Sequence, residues 1–329
     1  MTENLVDEAA PAPVKEPARP RRTSGEALAR RRRLTSVTRP WLLLAPSLAV
    51  LAALLLWPLI QVGKLSFQEY AVKFGGGVGT WVGFDNYSGL LEQSDFWKTV
   101  LPNTVLFTFA CVALTLGVGT LVALLLNRLG PAWKVICSTS IMAAWAMPAI
   151  TGTYVWVWLF AAQDGLFPKA LDAVGLVDAE TANFFTDRLS FYLIATLNVV
   201  HHSFPFVAIT VLAGLVTIPK ELYEAAMLDG ANAWQRFWRV TVPTIKPVFT
   251  VVTILSTIWD FKVFTQIYAM PGGNGTQPEM ANLGVFSYIQ AFAKQDYGTG
   301  AAAAVMLTLV LIVITIIYIR TLFKEGEDL

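Results

Sequence analysis

Apolar residues in this chain gather into six runs, about residues 41–63, 102–126, 135–161, 189–218, 247–270 and 300–318, separated by more polar segments. Each run exceeds what a core strand or an ordinary core helix needs. Each suffices for a helix of about 20 residues to cross a hydrocarbon layer of about 30 Å. A lone strand in lipid would leave its backbone N–H and C=O groups unpaired, so the runs predict helices. Asp260 and Lys262 interrupt the fifth run, and the third and fourth contain Pro148 and Pro205, where kinks are expected. The pattern predicts an all-α polytopic membrane protein with six transmembrane helices. Composition agrees: of 329 residues, 55% are hydrophobic and 14% charged, against about a quarter charged in soluble domains.

Charge orients the spans. Of 24 Lys and Arg, 17 lie in the first 40 residues, the loops after the second and fourth runs, and the C-terminus. The positive-inside rule then places both termini in the cytosol of a multi-pass cell-membrane protein. Residues 1–40, rich in Pro, Ala and Arg, read as a disordered basic cytoplasmic tail, and residues 324–329 as a cytoplasmic C-terminus. The first run is longer than a signal-peptide core of about 7–15 residues, so it reads as a retained span. A net charge of +1 gives nucleic-acid binding no support. Cys111 and Cys137 both lie within apolar runs and form no metal motif. The adjacent His201 and His202 diverge by about 100° on a helix and make a poor metal pair.

The segment between the fourth and fifth runs, IPKELYEAAMLDGANAWQRFWRVTVPTIKPV, carries the most information. Pro219 suits a first helical turn, and Glu221 and Glu224 favour that helix's positive end. Gly230 stands where the chain must turn, because glycine reaches positive φ without a Cβ clash. A second helix is expected over residues 233–241, with Pro243 and Pro247 ending it and leading into the next span. Such a helix–turn–helix knob is suited to docking in another protein's groove. An amphipathic pair resting on the membrane surface fits the residues equally well.

EAAMLDGANAWQRFWRVTVP resembles the EAA motif of binding-protein-dependent ABC importer permeases. Glu224, Ala225 and Ala226 match its opening, Gly230 its central glycine, and Val240, Val242 and Pro243 its close. The Asp229-Gly230-Ala231 triplet is similar to that of the sugar-importing branch. TRPWLLLAPSLAVLAALLLWPLIQVGKLSF, VGFDNYSGLLEQSDFWKTVLPNTVLFT and AMPAITGTYVWVWLF resemble MalF/UgpA-type sugar permeases, so the resemblance covers about residues 41–323. It implies a MetI-like ABC importer permease fold, with residues 219–246 as the coupling loop that docks on an ATPase. It also implies the chain's partners: a second, MalG-like permease, two copies of an ABC ATPase, an extracytoplasmic sugar-binding protein and membrane lipid. No G-x-x-x-x-G-K-[ST] loop occurs, so this chain is expected to bind no cofactor and to be no enzyme, with ATP and Mg on the partner ATPases.

Charged side chains at a helix centre cost about 2.5–3.5 kcal/mol on insertion scales, so they usually face protein or water. Asp260 and Lys262, about 200° apart on a helix, are therefore expected not to pair with each other. One reading places at least one of them on a substrate pathway with Asn198, His202, Trp259 and Gln266. The other makes them structural, through an ion pair with another helix or a snorkelling lysine. An ion-gradient-driven secondary transporter is the alternative function that these charges and the histidines suggest.

Overall fold

The computed structural model describes residues 41–70, 79–270 and 278–327. The proposed tail, residues 1–40, lies outside them. Two compact units divide the chain, residues 1–59 and 60–329. In the first, the described residues are helical, the leading part of α1 (Trp41–Leu65).

Among its described residues the second unit's regular structure is helical apart from one short strand pair, β1 (Gln68–Glu69) antiparallel with β2 (Thr80–Trp81). Its helices follow in order: α2 (Asp85–Glu92), α3 (Phe96–Arg128), α4 (Pro131–Trp145), α5 (Ala149–Leu159), α6 (Leu166–Ala173) and α7 (Arg188–Leu215). After them come α8 (Lys220–Leu228), α9 (residues 233–244), α10 (Lys246–Phe261), α11 (Thr265–Ala269), α12 (Leu283–Ala293) and α13 (Tyr297–Glu327). Among the described residues, five helical stretches can by length and composition cross a membrane, or six if α4 and α5 count as one broken span.

The parallel pair α3 and α7 forms the centre. Arg188 Nε donates to Asn103 Oδ1 at 2.7 Å at their N-terminal ends. At mid-length Gly119 lies against Val207, so close that a Cβ on Gly119 would meet Val207 Cγ1 at 2.6 Å. Helix backbones in lipid gain contact by such close approach, where small residues permit it. The interior is largely apolar, but the exterior is apolar too, and several polar groups are buried. Asn103, Thr104, Thr115, Asn198, Ser256, Asp260 and Gln266 are buried, while Leu106, Phe109, Leu121, Leu193, Val313 and Ile317 are exposed. An apolar exterior with polar groups turned inward is what lipid as solvent requires.

The third apolar run departs from expectation. It is not one kinked helix: α4 and α5 meet at 89° across residues 146–148. Pro148 offers no N–H and drives Met147 away from helical geometry, so the helix stops and restarts. Pro148 adopts φ −57° and ψ 133° as the N-cap of α5. By contrast α7 continues as helix through Pro205. The fifth run breaks after α10, and the Val263 carbonyl there accepts from Asn282 Nδ2 at 2.6 Å. Asn282 also caps α12 through Val285 N, and Asn103 Nδ2 donates to the Glu279 and Ala281 carbonyls. Buried polar side chains thus satisfy the backbone groups that broken helices release. The last helix, α13, continues to Glu327.

Candidate functional site

Two places concentrate the candidate residues. The first is the hairpin α8–α9. Pro219 precedes α8 as its N-cap, and α8 ends on a Schellman turn. Gly230 N donates to the Met227 carbonyl at 3.0 Å and Ala231 N to the Ala226 carbonyl at 2.9 Å. Gly230 carries φ +81°, with open space where a Cβ would stand. Its requirement is conformational rather than steric: most other residues would bear a cost of about 1–2 kcal/mol in the left-handed region, Asn less. Two residues later Asn232 and Gln235 form a reciprocal capping box that starts α9.

Tyr223 on α8 and Thr241 on α9 share a hydroxyl–hydroxyl hydrogen bond of 2.9 Å. Helix α9 runs on through Pro243 to Thr244, beyond the expected stop at residue 241. A π turn over Phe237–Thr241 shifts the backbone bonding just before Pro243, so the missing proline N–H is accommodated. Beneath the hairpin, a cavity of about 220 Å³ is lined by Arg128 of α3, Leu215 of α7, and Tyr223, Arg236 and Thr241. The hairpin therefore sits across the C-terminal ends of the central pair. Glu224, Ala225, Asp229, Gly230 and Pro243 are exposed and Ala226 is half-buried. Around them Leu222, Met227, Leu228, Trp234 and Trp238 are exposed, with Leu228 at 89%.

The second place is a cavity of about 430 Å³ where α7, the α4–α5 break and the α10–α11 break meet. His202, Trp259, Asp260 and Gln266 line it, together with Ser203, Trp145 and Pro148. Asp260 is 3% exposed, and its Oδ2 has no hydrogen-bond partner. Gln266 is buried and Trp259 partly exposed. The two other pathway candidates fall elsewhere. Asn198 is buried in α7 and does not line the cavity. Lys262 is exposed, beyond the last residue of α10. Neither forms part of this wall, and Lys262 makes no ion pair with Asp260. His201 turns away from its neighbour, toward Trp156 and Phe204.

Sequence reading missed Trp145, Met147 and Ala149 as wall residues. Their signal in the sequence is Pro148, which marks a complete break between α4 and α5 where a kink is expected. An exposed cap cannot carry a buried charge, which is why Lys262 leaves the wall while Asp260, two residues earlier, stays in it.

Residues 116–323 match the family described as "binding-protein-dependent transport system inner membrane component". The chain is 40% identical over 290 residues to the diacetylchitobiose uptake system permease protein DasB of Streptomyces coelicolor, covering 88% of each chain. It is 32% identical over 240 residues to the trehalose/maltose transport system permease protein MalF of Thermococcus litoralis, covering 73% of this chain and 79% of that one. Among solved structures, a chain of a bacterial ABC transporter involved in the import of the acidic polysaccharide alginate superposes with a TM-score of 0.73 at 21% identity. That match covers 89% of this chain and 99% of the other, and it establishes a shared fold.

Proposed function

The chain belongs to the family of binding-protein-dependent transport system inner membrane components, and from that premise we propose that it is one membrane-spanning subunit of an ATP-driven importer of saccharides. Permeases of this kind work with a second permease, an ATPase and an extracytoplasmic binding protein. The finer assignment is ours: a MalG-like second permease, two ATPase copies and a sugar-specific binding protein. ATP and Mg sit on the ATPases, and this chain holds no nucleotide site and catalyses no reaction itself. Both termini and the α8–α9 hairpin then face the cytosol, as the distribution of Lys and Arg requires.

One observation carries the coupling assignment: α8–α9 is a locally rigid knob, locked by the Gly230 turn and the Tyr223–Thr241 bond, that exposes Leu222, Met227 and Leu228. Exposed apolar side chains on a preorganised element mark a protein-docking surface. Glu224, Ala225, Ala226, Asp229, Gly230 and Pro243 transmit ATPase closure to the spans. The cavity beside α7 supplies this chain's share of the pathway, with Trp145 and Trp259 offering flat faces to sugar C–H surfaces and His202, Asp260 and Gln266 partners to hydroxyls.

Affinity purification from gently solubilised native membranes, followed by mass spectrometry, tests the assignment. A second six-span permease and an ABC ATPase are expected to co-purify. Recovery of the folded chain alone would move the ion-gradient alternative to the front. Of the groups that suggested that alternative, Asp260 and His202 line the cavity, while Lys262 stands outside it and His201 faces Trp156.

A further inference from the structure

Two arginines converge on the cavity of about 220 Å³ beneath the α8–α9 hairpin, Arg128 from α3 and Arg236 from α9. Among the described residues neither forms an ion pair, and no carboxylate lines the cavity. Arg128 is the last residue of α3, where the helix dipole favours a cation. Arg236 has no such support, since it stands in the opening turn of α9, at the positive end of its helix. Two cations sharing one cavity repel each other unless an anion stands between them.

The rest of the wall decides which anion fits. Asn127 adds an amide that can donate, and Leu124, Leu215 and Phe237 form an apolar flank. The volume falls short of the roughly 300–1,000 Å³ of pockets that enclose a drug-sized ligand, so it suits one phosphate group rather than a nucleotide or a disaccharide. Arginine forks match phosphate oxygens bidentately. Leu124 and Leu215 belong to the last turns of α3 and α7, the ends that the charge bias places at the cytosolic membrane surface. We infer that the cavity is a phosphate site, filled by the headgroup of an anionic glycerophospholipid of the inner leaflet, with the start of an acyl chain against the apolar flank. Basic pockets at the cytoplasmic ends of spans are suited to such headgroups. Arg128 belongs to a span and Arg236 to the hairpin. The bound phosphate therefore braces one against the other and stiffens the connection through which ATPase closure reaches the spans. The inference rests on the cytosolic placement of the hairpin proposed above.

The test uses the assembled importer with its ATPases and binding protein, delipidated in detergent. Native mass spectrometry follows titration with phosphatidylglycerol or phosphatidylcholine, and hydrogen exchange reads the amides of α8 and α9 with each lipid or with inorganic phosphate. Phosphatidylglycerol is expected to bind the wild type at least about tenfold more tightly than phosphatidylcholine and to slow exchange in the hairpin. The double variant Arg128→Gln/Arg236→Gln should lose at least about tenfold in that affinity, and the slowing with it. Arg128→Lys/Arg236→Lys should keep part of both, because the charge stays while the fork is lost. Inorganic phosphate should neither slow exchange nor displace the lipid; if it does both, the occupant is free phosphate and the lipid assignment falls. Phosphatidylglycerol that leaves wild-type hairpin exchange unchanged overturns the inference, as does an unaltered affinity in the Gln variant. The wild-type exchange decides even if that variant fails to assemble. An importer that holds its ATPases yet shows no lipid preference refutes this inference alone, whereas a chain that recruits no ATPase refutes the functional reading beneath it.

Discussion

The hydroxyls of Tyr223 and Thr241 stand 2.9 Å apart and tie the two helices of the α8–α9 hairpin together. Thr241 is 3% exposed, so removing the phenol oxygen leaves a buried polar group without this partner. Tyr223→Phe should cost about 1 kcal/mol, and Thr241→Val a similar amount. The double variant should cost less than the sum of the two. Thermal unfolding of the purified importer checks the cycle, and the ratio of ATP hydrolysed to sugar transported should rise in each single variant.

Gly230 tests whether turn geometry governs ATPase docking. Gly230→Ala forces a side chain into φ +81° at a cost of about 1–2 kcal/mol. Gly230→Asn should be milder, since Asn tolerates that region. Membrane levels of the chain should stay near wild type while ATPase recovery in a pull-down falls, Ala more than Asn. Equal recovery across the three would remove the turn from the coupling mechanism.

Gly119 tests the central helix pair. A Cβ there meets Val207 Cγ1 at 2.6 Å, so even Gly119→Ala must part α3 from α7. Overpacking of this kind costs about 1–3 kcal/mol. Val207→Ala makes room on the other side, and the double variant should regain much of the loss. Melting temperatures in detergent read both effects.

Asp187 predicts a pH dependence outside the spans. Its carboxylate accepts from Ser190 N at 3.0 Å and Leu189 N at 3.1 Å as the N-cap of α7. Bonding to the Ser190 backbone, chiefly, holds its pKa below the ordinary aspartate value. A depressed folded-state pKa adds stability that is present above the unfolded value and lost as pH falls through the folded value. Stability of the wild type should therefore decline at the acid end of the carboxylate range. Asp187→Asn keeps a capping side chain and should flatten that part of the profile, read as melting temperature against pH.

Two cavity residues test the pathway. Trp259→Ala removes aromatic surface, and Gln266→Leu removes a buried hydrogen-bonding group. Each is expected to slow sugar uptake into proteoliposomes about tenfold, equivalent to about 1.4 kcal/mol, with ATPase assembly unchanged. Lys262→Gln, outside the wall, should transport normally.

The spans and the hairpin were legible along the chain because each is set by local chemistry. Lipid demands a continuous apolar helix, and that demand shows as a run in one dimension. The hairpin's signals are likewise local: Pro219 before one helix, Gly230 at the turn, and Asn232 and Gln235 three residues apart for the next start. The cavity was not legible in this way. Its wall joins residues drawn from three separate segments, around Pro148, His202 and Asp260, and which of them face one another depends on how separate helices rotate and where they break. Asp260 and Lys262 look equivalent in sequence, two charges in one apolar run. Only the end of α10 at Phe261 separates them, leaving Asp260 in the wall and Lys262 exposed past the last helical residue. A run of apolar residues specifies that a helix crosses the membrane; the side a polar residue takes is decided by packing between elements far apart in the chain.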